Sequence, residues 1–171
     1  MNLDPKKNVC EEETFNELFK THSKDLYNFL YYKYGANNNP NDLVQEAFIK
    51  LWNNCHKVVF EKARSFLFTV ANNQMLSDLA KKKTALKYAE VKPTSHTHET
   101  PEFIIVEKEY GHRLEEAIAD LTEEQRVTFL LNRIEGKKHQ EIADMLGISR
   151  KAVEKRIYTT LAKLREKVEN I

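Results

Sequence analysis

Apolar side chains recur along this chain at three- and four-residue spacing, the period of a helix with one buried side. Phe15, Leu18, Phe19, Leu26, Phe29 and Leu30 mark a first helix, whose start is expected at Thr14 because Thr14 and Glu17 can form a capping box. Gly35 and the polar run from Ala36 to Pro40 end it. Leu43, Val44, Ala47, Phe48 and Leu51 give the next helix a wide apolar side, with Asn41 or Asp42 as its cap and Trp52 near its end. After a loop around Lys57 to Lys62, a third helix is expected over roughly Ala63 to Lys83. The period then stops in VKPTSHTHETP, where two prolines and polar residues mark a linker. Helical pattern resumes at Glu102, and Leu121-Thr122-Glu123-Glu124-Gln125 is a strong start signal, with Thr122 as N-cap and Gln125 closing a capping box.

This pattern predicts an all-α chain of two small helical domains joined by a flexible linker. The expected divisions are a disordered N-terminus over 1–13, a helical domain over 14–86, a linker over 87–112 and a second helical domain over 113–171. Four glycines and four prolines in 171 residues suit such a fold, because both residues weaken helices. An apolar fraction of 41% sustains two small cores better than one large one. No run is long and apolar enough for a membrane span or a secretory leader, so a cytoplasmic location is expected. Cys10 and Cys55 are too few and too ill-spaced for a disulfide framework or a zinc site, and both are expected to be reduced thiols. His96 and His98 form an isolated H-x-H without the further ligands a metal needs. No metal and no other cofactor is expected.

Net charge is only +1, but its distribution is uneven. Seven bases against two acids lie between Lys57 and Lys87, nine acids against two bases between Glu99 and Glu124, and seven bases against two acids between Arg150 and Val168. Each basic zone coincides with a motif. In HQEIADMLGISRKAVEKRIYTTLAKLREKV, Ile142, Ala143 and Leu146 give a short run an apolar side, Gly147 supplies a turn, Ile148 can fill the angle and Ser149 can cap a second run. Val153, Ile157, Leu161 and Leu164 fall on one stripe of that second run, while Arg150, Lys151, Glu154, Lys155, Tyr158 and Thr159 make a polar, cationic front. A short helix, a glycine turn and a helix with such a front is the helix-turn-helix pattern, whose second helix enters the major groove.

The other basic zone lies beyond the string DLVQEAFIKLW. Asp42, Gln45 and Glu46 stand at i, i+3 and i+4 and share one polar edge. Past it, bases and amides alternate with aromatics: Phe60, Lys62, Arg64, Phe66, Phe68, Asn72, Asn73, Gln74 and then Lys81-Lys82-Lys83. Aromatic faces and amides beside cations suit unpaired bases, which stack and offer their edges. At least one of Phe66 and Phe68 is expected in the core.

Three strings, DLVQEAFIKLW, FLFTVANNQMLSDL and LTEEQRVTFLLNRIEGKKHQEIADMLGISRKAVEKRIYTTLAKLRE, resemble bacterial sigma factors of the sigma-70 family, in the extracytoplasmic-function group. The resemblance runs from Thr14 to Val168 in order and spacing. It implies a region 2 over about Thr14 to Lys83 and a region 4 over about Arg113 to Glu169, without the domain that larger relatives place between them. It implies that Asp42, Gln45 and Glu46 dock on the clamp helices of the polymerase β′ subunit. Lys62, Arg64, Asn72, Asn73, Gln74 and Lys81 fall in the segment that opens and reads the −10 element; many relatives carry an arginine where this chain has Asn72. Arg150, Lys151, Glu154, Lys155, Tyr158 and Thr159 match the helix that reads the −35 element. The apolar surface of region 4 would sit on the β flap, and the acidic middle would thread toward the RNA exit path. A membrane-anchored anti-sigma factor is implied as a further partner.

The expected function is that of a promoter-specificity subunit of a bacterial RNA polymerase. It is not an enzyme and has no catalytic residues. Near-neutral charge fits, since a strongly basic subunit would bind DNA without the polymerase. The alternative is a stand-alone helix-turn-helix regulator, which leaves the Asp42 edge without a task; a pure protein adaptor is a third reading.

Overall fold

The computed structural model describes residues 7–88 and 108–168. Among them there are seven α-helices and no strand, so the chain is all-α as its periodicity predicts. They fall into two compact units, one holding residues 7–30 and 38–88, the other 31–37 and 108–168.

Helix α1 spans Glu12–Tyr34 and lies in the first unit up to Leu30; α2, Pro40–Asn53, and α3, Phe60–Tyr88, complete that unit. Helix α1 opens before the expected cap. Glu12 and Glu13 supply the negative charge its first turn favours. Thr14 is buried inside the helix, and Glu17 instead pairs with Lys7. The N-terminal stretch is correspondingly ordered from residue 7 onward, against the expectation of disorder over 1–13. Val9 is 1% exposed, and Cys10 is covalently tied to Cys55. Residues 1–6 lie outside the described part.

Helix α2 is entered through Asn39, whose φ of 48° is left-handed, with Pro40 at the first helical position. Asparagine tolerates that backbone better than most residues, and proline has no N–H to leave unpaired there. Asn41 and Asp42 are thus inside the helix and do not cap it. Leu26, Leu30, Leu51, Leu67 and Met75 are fully buried. The Phe15 ring meets Phe48 and Trp52 edge-on at 5.9 and 5.0 Å, joining α1 to α2. Phe29 meets Phe68 at 5.3 Å, so Phe68 is the core aromatic of its pair, while Phe66 is half-buried.

The second unit contains α4 (Lys108–Ala119), α5 (Glu123–Arg133), α6 (His139–Leu146) and α7 (Arg150–Lys167). Helix α7 packs against the other three. Thr122 caps α5 as its sequence predicts: Gln125 N donates to Thr122 Oγ1 at 3.3 Å, and Thr122 N donates back to Gln125 Oε1 at 3.4 Å. Gly147 leaves α6 at φ 65°, and Ser149 Oγ accepts from Ala152 N at 3.2 Å to start α7. The buried stripe of α7 differs from expectation by one position. Val153, Ile157, Thr160 and Leu164 are buried, whereas Leu161 is only half-buried. Thr160 is accommodated because its hydroxyl donates to Arg156 O at 2.7 Å. Arg126 is a buried cation the pattern does not announce; it donates to the carbonyls of Tyr32, Lys33 and Ala119 of the same unit.

Helix α3 runs on to Tyr88 and α4 begins at Lys108, so both margins of the expected linker 87–112 are helical. Residues 89–107, including His96 and His98, lie outside the described part.

Candidate nucleic-acid and partner interfaces

The front of α7 is built by the same rotation that buries Val153 and Ile157. Arg150, Lys151, Lys155, Tyr158 and Thr159 are exposed, and Tyr158 is 71% so. Glu154 is half-buried between two bases: Arg150 Nε donates to its Oε1 at 3.0 Å, and His139 Nδ1 lies 3.6 Å away. Thr159 Oγ1 donates to Lys155 O at 2.8 Å, which leaves the hydroxyl oxygen free to accept. Arg156, one step off the front, is bound to Glu124 at 2.7 Å and so pins α7 to the start of α5. Beside the start of α7 an open cavity of about 450 Å³ is lined by Asn132, Lys137, Lys138, His139, Gln140 and Arg150. Lys137 and Lys138, adjacent on one hollow, suit a phosphate oxygen. Lys137 and Lys138 were not singled out from the sequence, although their position just before α6 places them at the motif's entrance.

On α2, Asp42, Gln45 and Glu46 are all exposed, opposite buried Leu43, Val44, Ala47 and Phe48. The structure extends this edge with two apolar side chains the sequence reading did not assign, Ile49 at 59% and Trp52 at 45% exposure. Spacing could have found them, since they stand four and seven residues beyond Gln45 on the same side.

Helix α3 separates its candidate residues. Lys62, Asn73 and Lys81 are exposed. Exposed Thr69 and Leu76 lie along the stripe of Lys62 and Asn73, while Lys81 is turned off it, 3.5 Å from Asp78. Arg64 turns the other way, 3.9 Å from Asp25 of α1 with only 23% of its side chain exposed. Asn72 is half-buried. Gln74 is occupied locally: Lys50 Nζ donates to its Oε1 at 2.6 Å, and its Nε2 donates to Asp78. Of three adjacent amides, Asn73 is the one turned fully to solvent.

At the end of α2 the structure overturns the reading of two reduced thiols. Cys10 and Cys55 form a disulfide, with Cα atoms 5.0 Å apart across a sequence separation of 45. Spacing along the chain does not reveal a pairing made by the packing of α1 against α2. His56 Nδ1 lies 3.2 Å from Cys10 Sγ.

Two family descriptions match the chain, Sigma-70 region 2 over residues 18–84 and Sigma-70, region 4 over residues 111–164. The ECF RNA polymerase sigma factor SigX of Bacillus subtilis (strain 168) is 28% identical over 167 residues, covering 92% of this chain and 85% of that protein. The ferric citrate uptake sigma factor FecI of Escherichia coli (strain K12) is 29% identical over 146 residues, covering 83% of each. In fold, the chain resembles one from the co-crystal structure of the sigma factor RpoE with the anti-sigma factor NepR from Bartonella quintana, with a TM-score of 0.61 at 15% identity over 90% of this chain and 96% of that one. Region 2 and region 4 signatures in order, on two helical units, make this chain a member of the sigma-70 family, in its extracytoplasmic-function group.

Proposed function

We propose that this sigma factor engages its partners through four separate faces. The edge Asp42, Gln45 and Glu46, extended by Ile49 and Trp52, docks on the clamp helices of β′. The α3 stripe of Lys62 and Asn73, with Lys81 to one side of it, takes unpaired bases of the −10 element. The front of α7 enters the major groove at the −35 element, with Lys137 and Lys138 on flanking phosphate. The second unit rests on the β flap through its apolar surface. The polymerase performs the chemistry, and the chain contributes promoter choice and strand opening in the cytoplasm. A partner of the anti-sigma class is expected from the family.

The observation that carries this reading is the α2 edge. Three polar side chains in one line are exposed, with no packing task inside their own unit. A stand-alone regulator needs the α7 front but gives that edge nothing to bind. Core RNA polymerase, mixed with the purified chain and resolved by gel filtration, should carry it at one copy per core, and the complex should initiate at a fixed set of genomic fragments. Binding of those fragments by the isolated chain, without co-elution with core, would establish the stand-alone regulator instead.

A further inference from the structure

The pair Cys10–Cys55 has chemistry that promoter recognition does not use. Cys10 is half-buried and Cys55 is 9% exposed, at the foot of α2. Exposed His56 places Nδ1 3.2 Å from Cys10 Sγ. The two sulfurs and a ring nitrogen of His56 all lie within 4.8 Å of one another. The two sulfurs are therefore unequal: one is reachable and has an imidazole beside it, the other is enclosed. A disulfide that only braces a fold needs no such base. A structural zinc site would need a fourth ligand beyond these three. The Cα separation of 5.0 Å lies in the range a disulfide spans.

We propose that Cys10 and Cys55 are a reversible thiol site oxidised by hydroperoxides, with Cys10 the attacking sulfur, His56 its base and Cys55 the resolving thiol. In the dithiol form His56 Nδ1 takes the Cys10 proton. The thiolate attacks one peroxide oxygen; an S–O bond forms, the O–O bond breaks, and the departing hydroxide takes the proton back from His56 as water. The Cys55 sulfur then displaces hydroxide from the Cys10 sulfenic acid. The S–S bond forms, and the Cys55 proton leaves with that hydroxide as a second water. The two thiols together lose two electrons and two protons, and the peroxide gains them. A dithiol reductant reverses the bond by exchange. In the compartment where RNA polymerase works, disulfides are rare and those that form are usually transient and redox-sensing; this step of the inference rests on the proposed function.

The bond fastens residues 7–10 and the start of α1 to the end of α2, next to the Phe15–Trp52 contact. Oxidation therefore tightens the part of the first unit that carries Trp52 of the docking edge.

The test uses the full chain, reduced and then exposed to hydrogen peroxide without denaturant. Wild type should lose about 2 Da, the mass of two hydrogens, and recover it with dithiothreitol. Its Tm should rise by roughly 10 °C on oxidation, as expected for closing a long loop. Cys55→Ser should stop at a sulfenic acid on Cys10 that dimedone labels, while Cys10→Ser should label far less. His56→Asn, at an exposed position with both thiols kept, should reach the same oxidised mass about tenfold more slowly. Wild-type oxidation rates in His56→Asn, or equal labelling of the two cysteine variants, would overturn the assignment. So would one Zn²⁺ per chain retained through dialysis by the reduced protein and blocking oxidation, which would make the cluster a metal site. None of these measurements involves polymerase, so they stay readable if the proposed function fails.

Discussion

Arg150 and Glu154 face one another across one turn of α7, Nε to Oε1 at 3.0 Å, with 64% and 33% of their side chains exposed. Glu154 is the only acid on an otherwise cationic front, and a carboxylate near phosphate is repelled. Its intrahelical partner accounts for its presence without a base contact. An exposed i,i+4 pair contributes only about 0.3 to 0.5 kcal/mol. Glu154→Ala is therefore expected to strengthen transcription uniformly across a randomised −35 library, because a negative charge has gone, and to leave base preferences superimposable. Arg150→Ala should relax the preference at one position. A changed preference at one position in Glu154→Ala would instead make Glu154 a reader, through the amino group of cytosine.

The proposed docking edge can be separated from the fold, because Asp42, Gln45 and Glu46 are exposed. Asp42→Ala with Glu46→Ala should weaken core-polymerase binding by about 2 kcal/mol, roughly thirtyfold, while helicity and Tm stay unchanged. Ile49→Ala tests the apolar extension and should also weaken binding. Trp52 is a poorer probe, since it packs on Phe15 and its loss would also loosen α1 against α2. Affinity unchanged by both the double variant and Ile49→Ala would remove this edge from the interface.

Local rules found in the sequence what local geometry decides. The caps at Thr122 and Ser149 were legible because donor and acceptor lie three residues apart. Thr14 and Glu17 satisfy the same rule and fail it, because Thr14 is buried within α1 and Glu17 has a partner ten residues earlier in Lys7. The Cys10–Cys55 bond, 45 residues apart, depends on how α1 meets α2 and carries no local sign. On α7 the period fixed the stripe but not its edge: apolar character favoured Leu161, while geometry buried Thr160 and satisfied its hydroxyl within the helix. On α3 the sequence does not separate neighbouring amides, for a similar reason. Asn73 and Gln74 are chemically alike, yet one residue of helix turns the second onto Lys50 and Asp78.

That difference gives a paired experiment on strand opening. Asn73→Ala removes an exposed amide able to bond a base edge, so open-complex formation on duplex promoters should fall. On a template already mismatched at the −10 element the loss should be much smaller. Gln74→Ala removes local bonds to Lys50 and Asp78 and should lower Tm slightly, with strand opening near wild type. Equal losses on both templates in Asn73→Ala would mean that the substitution disturbs folding or docking and not base capture.

The turn before α7 can be weakened without touching any proposed DNA contact. Gly147 sits at φ 65°, and a Cβ there would meet nothing within 4 Å, so Gly147→Ala costs backbone strain and no clash. A left-handed alanine costs about 1 to 2 kcal/mol. Ser149→Ala removes the acceptor for Ala152 N and should cost about 1 kcal/mol. Both variants should lower the unfolding midpoint of the C-terminal unit, with the glycine variant lower or equal. Neither should change which base is preferred at any −35 position, because the front of α7 keeps every side chain. Promoter activity measured well below the unfolding midpoint should therefore stay near wild type and fall only as the temperature approaches it. A shift in base preference at low temperature would show instead that the turn sets the angle at which α7 meets DNA.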